Sequence, residues 1–203
     1  MTTTFLLVRH AAHDSVGSFL AGRSADVPLG SAGREQATRL AARLAREDIA
    51  AIYASPRKRT QETAAAIAAI SGLSEVKTVD ALDEVDFGSW SGKTFEVLNS
   101  DPLWRQWNCT RSLVRAPSGE TMLDVQQRIM ALVETLCPQS SGGGKIVFVS
   151  HADVIKALIC QVLGLSTDAW ARFDIAPASI SAVSAGVWGA KVLQLNETQD
   201  AAR

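Results

Sequence analysis

Two histidines follow the two most β-like segments of the chain. His10 comes after the apolar run 5–8 and Arg9, and His151 comes directly after the segment 146–150. In open α/β sheets, ligands bind beyond the carboxyl ends of the strands, near the point where the strand order reverses. Two histidines at such ends can therefore face one pocket although they are far apart in sequence. A lone histidine is more often structural, whereas this pair, with Arg9 beside one member, favours a functional site.

Three consecutive cations, Arg57, Lys58 and Arg59, occupy a predicted junction between a strand and a helix. The N-terminus of a helix attracts anions through its free N–H groups and its dipole, and arginine offers a planar fork to phosphate oxygens. Without an anion, cations are unfavourable there because the dipole is positive at this end. The alternative is a solvated helix face in which Lys58 pairs with Glu62. The cluster therefore indicates a nearby anion, such as a phosphate group.

Short β-like runs alternate with helical patterns, which predicts an α/β fold with three α/β/α layers and a mostly parallel sheet. The predicted strands cover residues 5–8, 49–54, 76–79 and 146–149, and a closing hairpin pairs 180–183 with 187–195 around Ala185-Gly186. Four helices are predicted. The first begins after an N-cap at Ser31, and the second begins at Pro56 after an N-cap at Ser55 and ends at Gly72. The third runs from 119–121 to Leu136, and the fourth covers 152–163.

A length of 203 residues predicts a single domain over 1–203, because one core of this size can be well filled. The segment 87–120 is less regular and contains three of the five tryptophans, Trp90, Trp104 and Trp107. We expect it to form a small cap or insert packed over the sheet. The Gly/Ser-rich segment 140–144 is predicted to be a solvent loop.

The composition limits the partners and the location. A formal net charge of -1 does not favour a nucleic-acid partner, which usually calls for a basic surface. No apolar run approaches the ~18 residues that a membrane span needs, and the run 5–8 is too short for an export signal. Three cysteines without a C-x-x-C pair are typical of free thiols in a reducing compartment. We expect a soluble, cytoplasmic protein, and its oligomeric state stays open.

Five short motifs occur in a fixed order along the chain. They are Leu7-Val8-Arg9-His10-Ala11, Ser55-Pro56-x-x-Arg59-x-x-x-Thr63, Leu82-Asp83-Glu84-x-x-Phe87-Gly88-x-Trp90-x-Gly92, Pro117-x-Gly119-Glu120-Thr121 and Val149-Ser150-His151. In order and spacing they resemble the motifs of the histidine phosphatase superfamily, also called the phosphoglycerate-mutase-like superfamily. The resemblance extends from about Phe5 to the final predicted hairpin and implies a phosphoglycerate-mutase-like fold.

The resemblance implies a role for each site residue. His10 would accept the phosphoryl group, Glu84 would give a proton to the leaving oxygen, and Arg9, Arg59 and His151 would form the phosphate pocket. A neutral imidazole is a good nucleophile, and positioned cations can stabilise a transferring phosphoryl group without a metal. We therefore expect a phosphatase that hydrolyses a small phosphorylated metabolite through a phosphohistidine, with no metal and no cofactor.

Several residues depart from the family pattern or extend it. Ala11 replaces the usual Gly, Ala12 and His13 stand where Glu or Gln and then Thr or Ser are common, and Val16 stands where Asn often contacts phosphate. His13 is a candidate to replace one of these contacts; a partly exposed loop histidine is the alternative.

Two further residues are weaker candidates for the site. Arg23, in a Gly22-Arg23 pair that resembles the loop after the first strand, is a candidate substrate contact; a plain surface arginine is the alternative. Asp153, two residues after His151, is the second choice for the proton donor. An acidic residue favoured by the helix dipole is the better explanation of its position.

Three other functions compete with a phosphatase. A phosphoglycerate mutase would use the same His10, but those enzymes are generally longer, with inserts after the second and third motifs that this chain lacks. A metal-dependent hydrolase using His10, His13, His151 and Asp14 is disfavoured because no H-E-x-x-H or comparable ligand cluster is present. A non-catalytic module that binds phosphorylated ligands would need neither a nucleophile nor an acid.

Overall fold

The computed structural model describes residues 2–14, 17–24, 27–137 and 144–199. These residues form six strands, β1 (Thr2–Arg9), β2 (Ile49–Ala54), β3 (Val76–Thr78), β4 (Lys145–Ser150), β5 (Ile180–Gly186) and β6 (Gly189–Glu197). The strands make one sheet in the order β3-β2-β4-β1-β5-β6. Strands β1 to β4 are parallel, and β5 pairs in antiparallel fashion with both β1 and β6. The prediction of a mostly parallel sheet is confirmed.

Helices cover both faces of this sheet, as the sequence predicted. They are α1 (Ser31–Leu44), α2 (Lys58–Ser71), α3 (Phe95–Ser100), α4 (Pro102–Cys109), α5 (Met122–Leu136) and α6 (Ala152–Val162). Side chains of β1 alternate between two cores: Leu6 and Val8 pack with α1 and α2, whereas Phe5 and Leu7 pack with α5 and α6. The continuous apolar run in β1 is explained by this burial on both faces.

The sheet topology brings the two strand-end histidines together. Strands β1 and β4 are parallel neighbours in a register that pairs Arg9 with Ser150, so His10 and His151 leave the same edge of the sheet side by side. From β1 the chain crosses to β2 on one side, whereas from β4 it crosses to β5 on the other. The pair therefore lies at the point where the strand order reverses, where α/β sheets bind ligands.

An aromatic cluster fills the segment between β3 and α5. The rings of Trp90 and Trp104 are 5.2 Å apart, those of Trp90 and Trp107 are 6.0 Å apart, and Phe87 lies edge-on to Trp107. All four side chains belong to the core that also contains Phe5 and Leu7 of β1. The predicted division into one domain with a cap at 87–120 stays a prediction.

Both predicted serine N-caps are wrong. Helix α1 begins at Ser31 itself, and Gly30 is its N-cap. Helix α2 begins at Lys58 with Arg57 as the N-cap. The Ser55 hydroxyl accepts from the Arg57 N–H (3.3 Å), which precedes the helix, and it also contacts His151 and Asp83.

The predicted turn of the closing hairpin is also displaced. Ala185 and Gly186 lie inside β5 and pair with both β1 and β6, and the turn falls at Val187-Trp188. Strand β5 extends this far because it continues to pair with Thr2 and Thr3 of β1. Of the predicted loop 140–144, all but Gly144 lies outside the described residues. Among the helices that the structure describes, none combines the length and the apolarity needed to cross a bilayer.

Candidate active site

His10 is held by the backbone of the residues around it. Its N–H donates to the Ser150 carbonyl (2.9 Å), which ties it to the end of β4. The ring Nδ1 lies 2.8 Å from the Ala11 carbonyl oxygen, and the residue is only 4% exposed. The Ala11 N–H in turn donates to Thr63 Oγ1 (3.1 Å) in α2. The loop that carries His10 is therefore attached to β4 and to α2.

The same loop lies directly on the start of α1. Gly30 N–H donates to the Ala12 carbonyl (3.1 Å), and Ala12 N–H donates to Gln36 Oε1 (2.9 Å). A Cβ at Gly33 would come within 1.8 Å of the Ala12 oxygen. Only glycine at this position allows so close an approach.

Arg59 joins the two histidines. Its Nε lies 3.3 Å from His10 Nε2, and its Nη2 lies 3.1 Å from His151 Nδ1. A guanidinium has donors and no acceptor, so both facing ring nitrogens must present lone pairs. The ring hydrogen of His10 is then on Nδ1, where the Ala11 carbonyl accepts it, and Nε2 is free to act as a nucleophile.

Burial keeps both rings neutral. It lowers the pKa of His10 well below the usual value, and the nearby positive charges of Arg59 and Arg9 lower it further. Burial and Arg59 likewise lower the pKa of His151 well below the usual value. The unprotonated, nucleophilic form of His10 therefore persists well below pH 6.5.

Two of the buried arginine donors without an acceptor lie at the two histidines. Arg9 donates through Nη1 to the Ile175 carbonyl (2.6 Å), which orients its guanidinium. Arg9 Nε and Arg59 Nη1 are both buried without a hydrogen-bond partner among the described residues. Buried donors of this kind are rare because leaving one unpaired costs about 1–3 kcal/mol. Phosphate oxygens are the acceptors that suit them.

Glu84 lies at the edge of this cationic group. Its Oε2 is 3.5 Å from His151 Nδ1 and 3.8 Å from Arg59 Nη2. Burial raises the pKa of Glu84 to about 7, although Arg59 opposes the shift, and the charge of Asp153 contributes to it. A carboxyl group with this pKa is in part protonated at neutral pH and can donate a proton.

Asp153, the second choice for the acid, has another partner. Its Oδ1 accepts a hydrogen bond from Arg111 Nη1 (2.8 Å). The Arg111 guanidinium also lies 3.7 Å from the centre of the Trp170 ring. Because Arg111 engages this carboxylate, the geometry favours Glu84 over Asp153 as the acid.

The two weaker candidates occupy different places. His13 is half-buried, its ring centre lies 5.8 Å from that of His10, and its Nδ1 has no partner among the described residues. Arg23 donates through Nε to the Glu84 carbonyl (2.8 Å) and through Nη2 to Glu120 Oε2 (3.0 Å). A substrate contact for either residue stays a prediction, and Val16 lies outside the described residues.

Sequence reasoning missed the part that Ser55, Thr63 and Asp83 play in this site. The local sequence pattern predicts a helix cap at Ser55 and indicates no role for Thr63 or Asp83. All three lie within motifs already recognised in the sequence, beside Arg59 or Glu84, and that proximity was the available signal.

Comparison with known proteins identifies the family. A family model described as the histidine phosphatase superfamily (branch 1) matches residues 5–198. The chain belongs to this superfamily. It is therefore a histidine phosphatase, an enzyme that hydrolyses small phosphomonoesters.

Individual relatives of this histidine phosphatase carry two kinds of name. Phosphoserine phosphatase 1 of Hydrogenobacter thermophilus is 32% identical over 197 residues, which cover 95% of this chain and 92% of the relative. A probable phosphoglycerate mutase of Yersinia enterocolitica is 32% identical over 180 residues, covering 87% and 82%. Among solved structures, a phosphoserine phosphatase of Entamoeba histolytica in complex with 3-phosphoglyceric acid has a TM-score of 0.85 at 27% identity, covering 97% of this chain and 98% of that one.

The four candidate ligands of a metal-dependent hydrolase do not form a metal-binding cluster among the described residues of this histidine phosphatase. Within the described ranges, no group of three or more His, Cys, Asp or Glu side chains is arranged to hold a metal ion. His10, His13, His151 and Asp14 all lie in these ranges. Two of the four, His10 and His151, direct a ring nitrogen at the cation Arg59.

Proposed function

We propose that this enzyme hydrolyses a small phosphomonoester through a covalent phosphohistidine on His10. The observation that carries the proposal is the unprotonated Nε2 of His10, which faces Arg59 Nε. Two guanidinium donors without a hydrogen-bond partner, Arg9 Nε and Arg59 Nη1, lie beside it. In the first step, Nε2 forms a bond to phosphorus while the bond from phosphorus to the ester oxygen breaks. Arg9, Arg59 and His151 surround the transferring group, whose negative charge the arginines stabilise.

Glu84 completes both halves of the proposed reaction. It gives its proton to the departing oxygen in the first step and becomes a carboxylate. In the second step, this carboxylate takes a proton from water, the water oxygen bonds to phosphorus, and the bond from Nε2 to phosphorus breaks. The pKa of about 7 suits Glu84 to both roles, because neither form is costly at neutral pH.

The proposal includes the setting of the reaction. Two buried guanidinium groups in the pocket support phosphoryl transfer without a metal ion or another cofactor. The free thiols Cys109, Cys137 and Cys160 support a reducing compartment, the cytoplasm. The net charge of -1 supports a small phosphorylated metabolite as substrate in preference to a nucleic acid.

The test of the proposal is to trap the phosphoenzyme. Rapid quenching under alkaline conditions during turnover of a ³²P-labelled phosphomonoester should leave label on the protein that is stable to base and labile to acid, as expected of a phosphoramidate. The label should map to the peptide that contains His10 and should be absent in His10→Ala. Label on another residue, or turnover without any labelled intermediate at single-turnover enzyme concentrations, would contradict the mechanism.

A mutase is the second candidate, favoured by the name of the Yersinia relative. It would use the same His10 but return the phosphoryl group to a second oxygen of the product. Incubation with 3-phosphoglycerate and a trace of 2,3-bisphosphoglycerate separates the two functions. We expect release of inorganic phosphate; formation of 2-phosphoglycerate much faster than phosphate release would assign His10 to a mutase.

A further inference from the structure

A chain of buried polar groups extends from His151 away from the phosphate pocket. His151 Nε2 lies 2.8 Å from Ser55 Oγ, and Ser55 Oγ lies 3.1 Å from Asp83 Oδ1. The His151 ring and Ser55 are fully buried, and Asp83 is 4% exposed. Neither Ser55 nor Asp83 contacts His10, so the chemistry described above does not explain their burial.

The direction of these hydrogen bonds follows from the donors around Asp83. Its Oδ1 accepts from the Glu84 N–H (2.8 Å), and the carboxylate forms ion pairs with Arg57 (2.9 Å) and Arg23 (3.4 Å), whose guanidinium groups offer no acceptor. A carboxylate in such surroundings accepts, so the single hydroxyl hydrogen of Ser55 goes to Asp83. The Ser55 oxygen is then left with lone pairs, and His151 must donate to it from Nε2.

The opposite side of the His151 ring gives the same answer. Nδ1 lies closer to Arg59 Nη2 (3.1 Å), which can only donate, than to Glu84 Oε2 (3.5 Å). The other hydrogen of Nη2 goes to the Gly22 carbonyl (2.9 Å). A neutral ring whose Nδ1 accepts carries its hydrogen on Nε2.

From these contacts we propose that Ser55 and Asp83 are positioning residues that lock His151 in its Nε2–H tautomer. The lone pair of Nδ1 is thereby kept towards Arg59 and Glu84. The other tautomer would place a ring N–H against the Arg59 donor, and the guanidinium would turn away. Because Arg59 Nε also faces His10 Nε2 at 3.3 Å, the pair acts on the nucleophile through Arg59.

The effect on turnover rests on the proposed function, whereas the tautomer is a property of the resting protein. The two can therefore fail separately. Loss of the proposed function would appear as turnover by His10→Ala, and loss of the tautomer assignment would appear in the spectrum of the free enzyme.

Ser55→Ala tests the proposal because it removes one hydroxyl, which also accepts from the Arg57 N–H (3.3 Å), and leaves Asp83 with the Arg57 guanidinium and the Glu84 N–H. ¹⁵N NMR of the ring nitrogens should show His151 of the wild type as the Nε2–H tautomer. In Ser55→Ala the buried Nε2–H loses its acceptor, so a population with Nδ1–H should appear. We expect kcat to fall about tenfold, the equivalent of one unsatisfied buried donor, with a smaller change in KM.

Ser150→Ala is the matched control. Ser150 is also a buried serine, adjacent to His151 in the chain, but its hydroxyl donates to the Leu82 carbonyl (2.7 Å) and not to the ring. It should lose comparable stability and keep both the His151 spectrum and kcat. A wild-type His151 with its hydrogen on Nδ1 would overturn the proposal even if Ser55→Ala failed to fold. So would an unchanged His151 spectrum in folded Ser55→Ala, whatever its kcat, or the same fall in kcat in both variants.

Discussion

The proposed nucleophile and the proposed acid of this site are held in different ways. His10 directly follows a strand, and backbone hydrogen bonds attach its loop to β4 and α1. Glu84 lies in a segment without helix or strand, after the short 3-10 turn Asp80–Leu82. Side chains hold it there: Asp83 accepts from its N–H (2.8 Å), and Arg23 (2.8 Å) and Arg128 (3.2 Å) donate to its carbonyl.

Because of this difference, substitutions should be able to affect one of the two proposed catalytic roles without the other. The geometry of His10 depends on the pairing of β1 with β4 and on the contacts of its loop with α1 and α2, so changes at these places should move it. The geometry of Glu84 depends on the adjacent Asp83 and on Arg23 and Arg128, which are distant in sequence. Substitution of Arg23 or Arg128 should therefore impair proton transfer while leaving His10 in place.

The largest effect is expected from His10→Ala. Turnover should fall by about 10⁴-fold or more, because no other described group offers an unprotonated nitrogen at this position. The melting temperature should stay close to that of the wild type, since the sheet and not the imidazole holds the loop. Hydrolysis of p-nitrophenyl phosphate and thermal melting measure the two quantities. Near-wild-type hydrolysis would remove His10 from the mechanism.

Glu84→Gln should have an effect that depends on the leaving group. We expect a loss of about 10²–10⁴-fold for an alkyl phosphate such as phosphoserine and a much smaller loss for p-nitrophenyl phosphate, whose leaving group needs no proton. Asp153→Asn is the control, because Asp153 pairs with Arg111. If this leaving-group pattern followed Asp153→Asn and not Glu84→Gln, the acid would be Asp153.

The pH dependence should sharpen the assignment of the acid. Glu84 must be protonated to donate, and its pKa is about 7. The ratio of kcat/KM for an alkyl phosphate to that for p-nitrophenyl phosphate should therefore be constant at low pH and fall as the pH rises through about 7. Taking the ratio largely cancels the titration of the phosphate groups themselves. In Glu84→Gln the ratio should be low and independent of pH; the wild-type dependence persisting there would point to another acid.

The smallest effect is expected from metal removal. Exhaustive dialysis against EDTA should leave kcat unchanged, because Arg9 and Arg59 supply the positive charge of the pocket. A loss of activity that a divalent cation restores would revive the metal-dependent hydrolase.

Much of the site could be predicted because its motifs are local. A buried apolar strand followed by Arg9-His10, and another followed by His151, place both histidines at one sheet edge once the strands are parallel. Arg59 was recognised by its place at the start of a helix. In each case the signal lies within a few residues of the group that it identifies.

The wrong predictions arose where contacts between distant parts of the chain override a local pattern. Ser55-Pro56 has the local pattern of a helix start, but in the folded chain the Ser55 hydroxyl contacts His151, 96 residues away. Ala185-Gly186 has the composition of a turn, but pairing with Thr2 and Thr3 keeps these residues in β5. Local preferences are worth about 1 kcal/mol, and tertiary contacts outweigh them.

The sequence by itself determined the fold class, the family and the residues that we propose surround a phosphate group, because apolar periodicity and compact motifs are properties of neighbouring residues. Only the tertiary structure decided which ring nitrogen of His10 and of His151 carries no hydrogen, why Glu84 has a pKa of about 7, and that Asp153 pairs with Arg111. These properties depend on burial and on charges brought together from distant parts of the chain. Both arise only when the sheet and its helices close around the site.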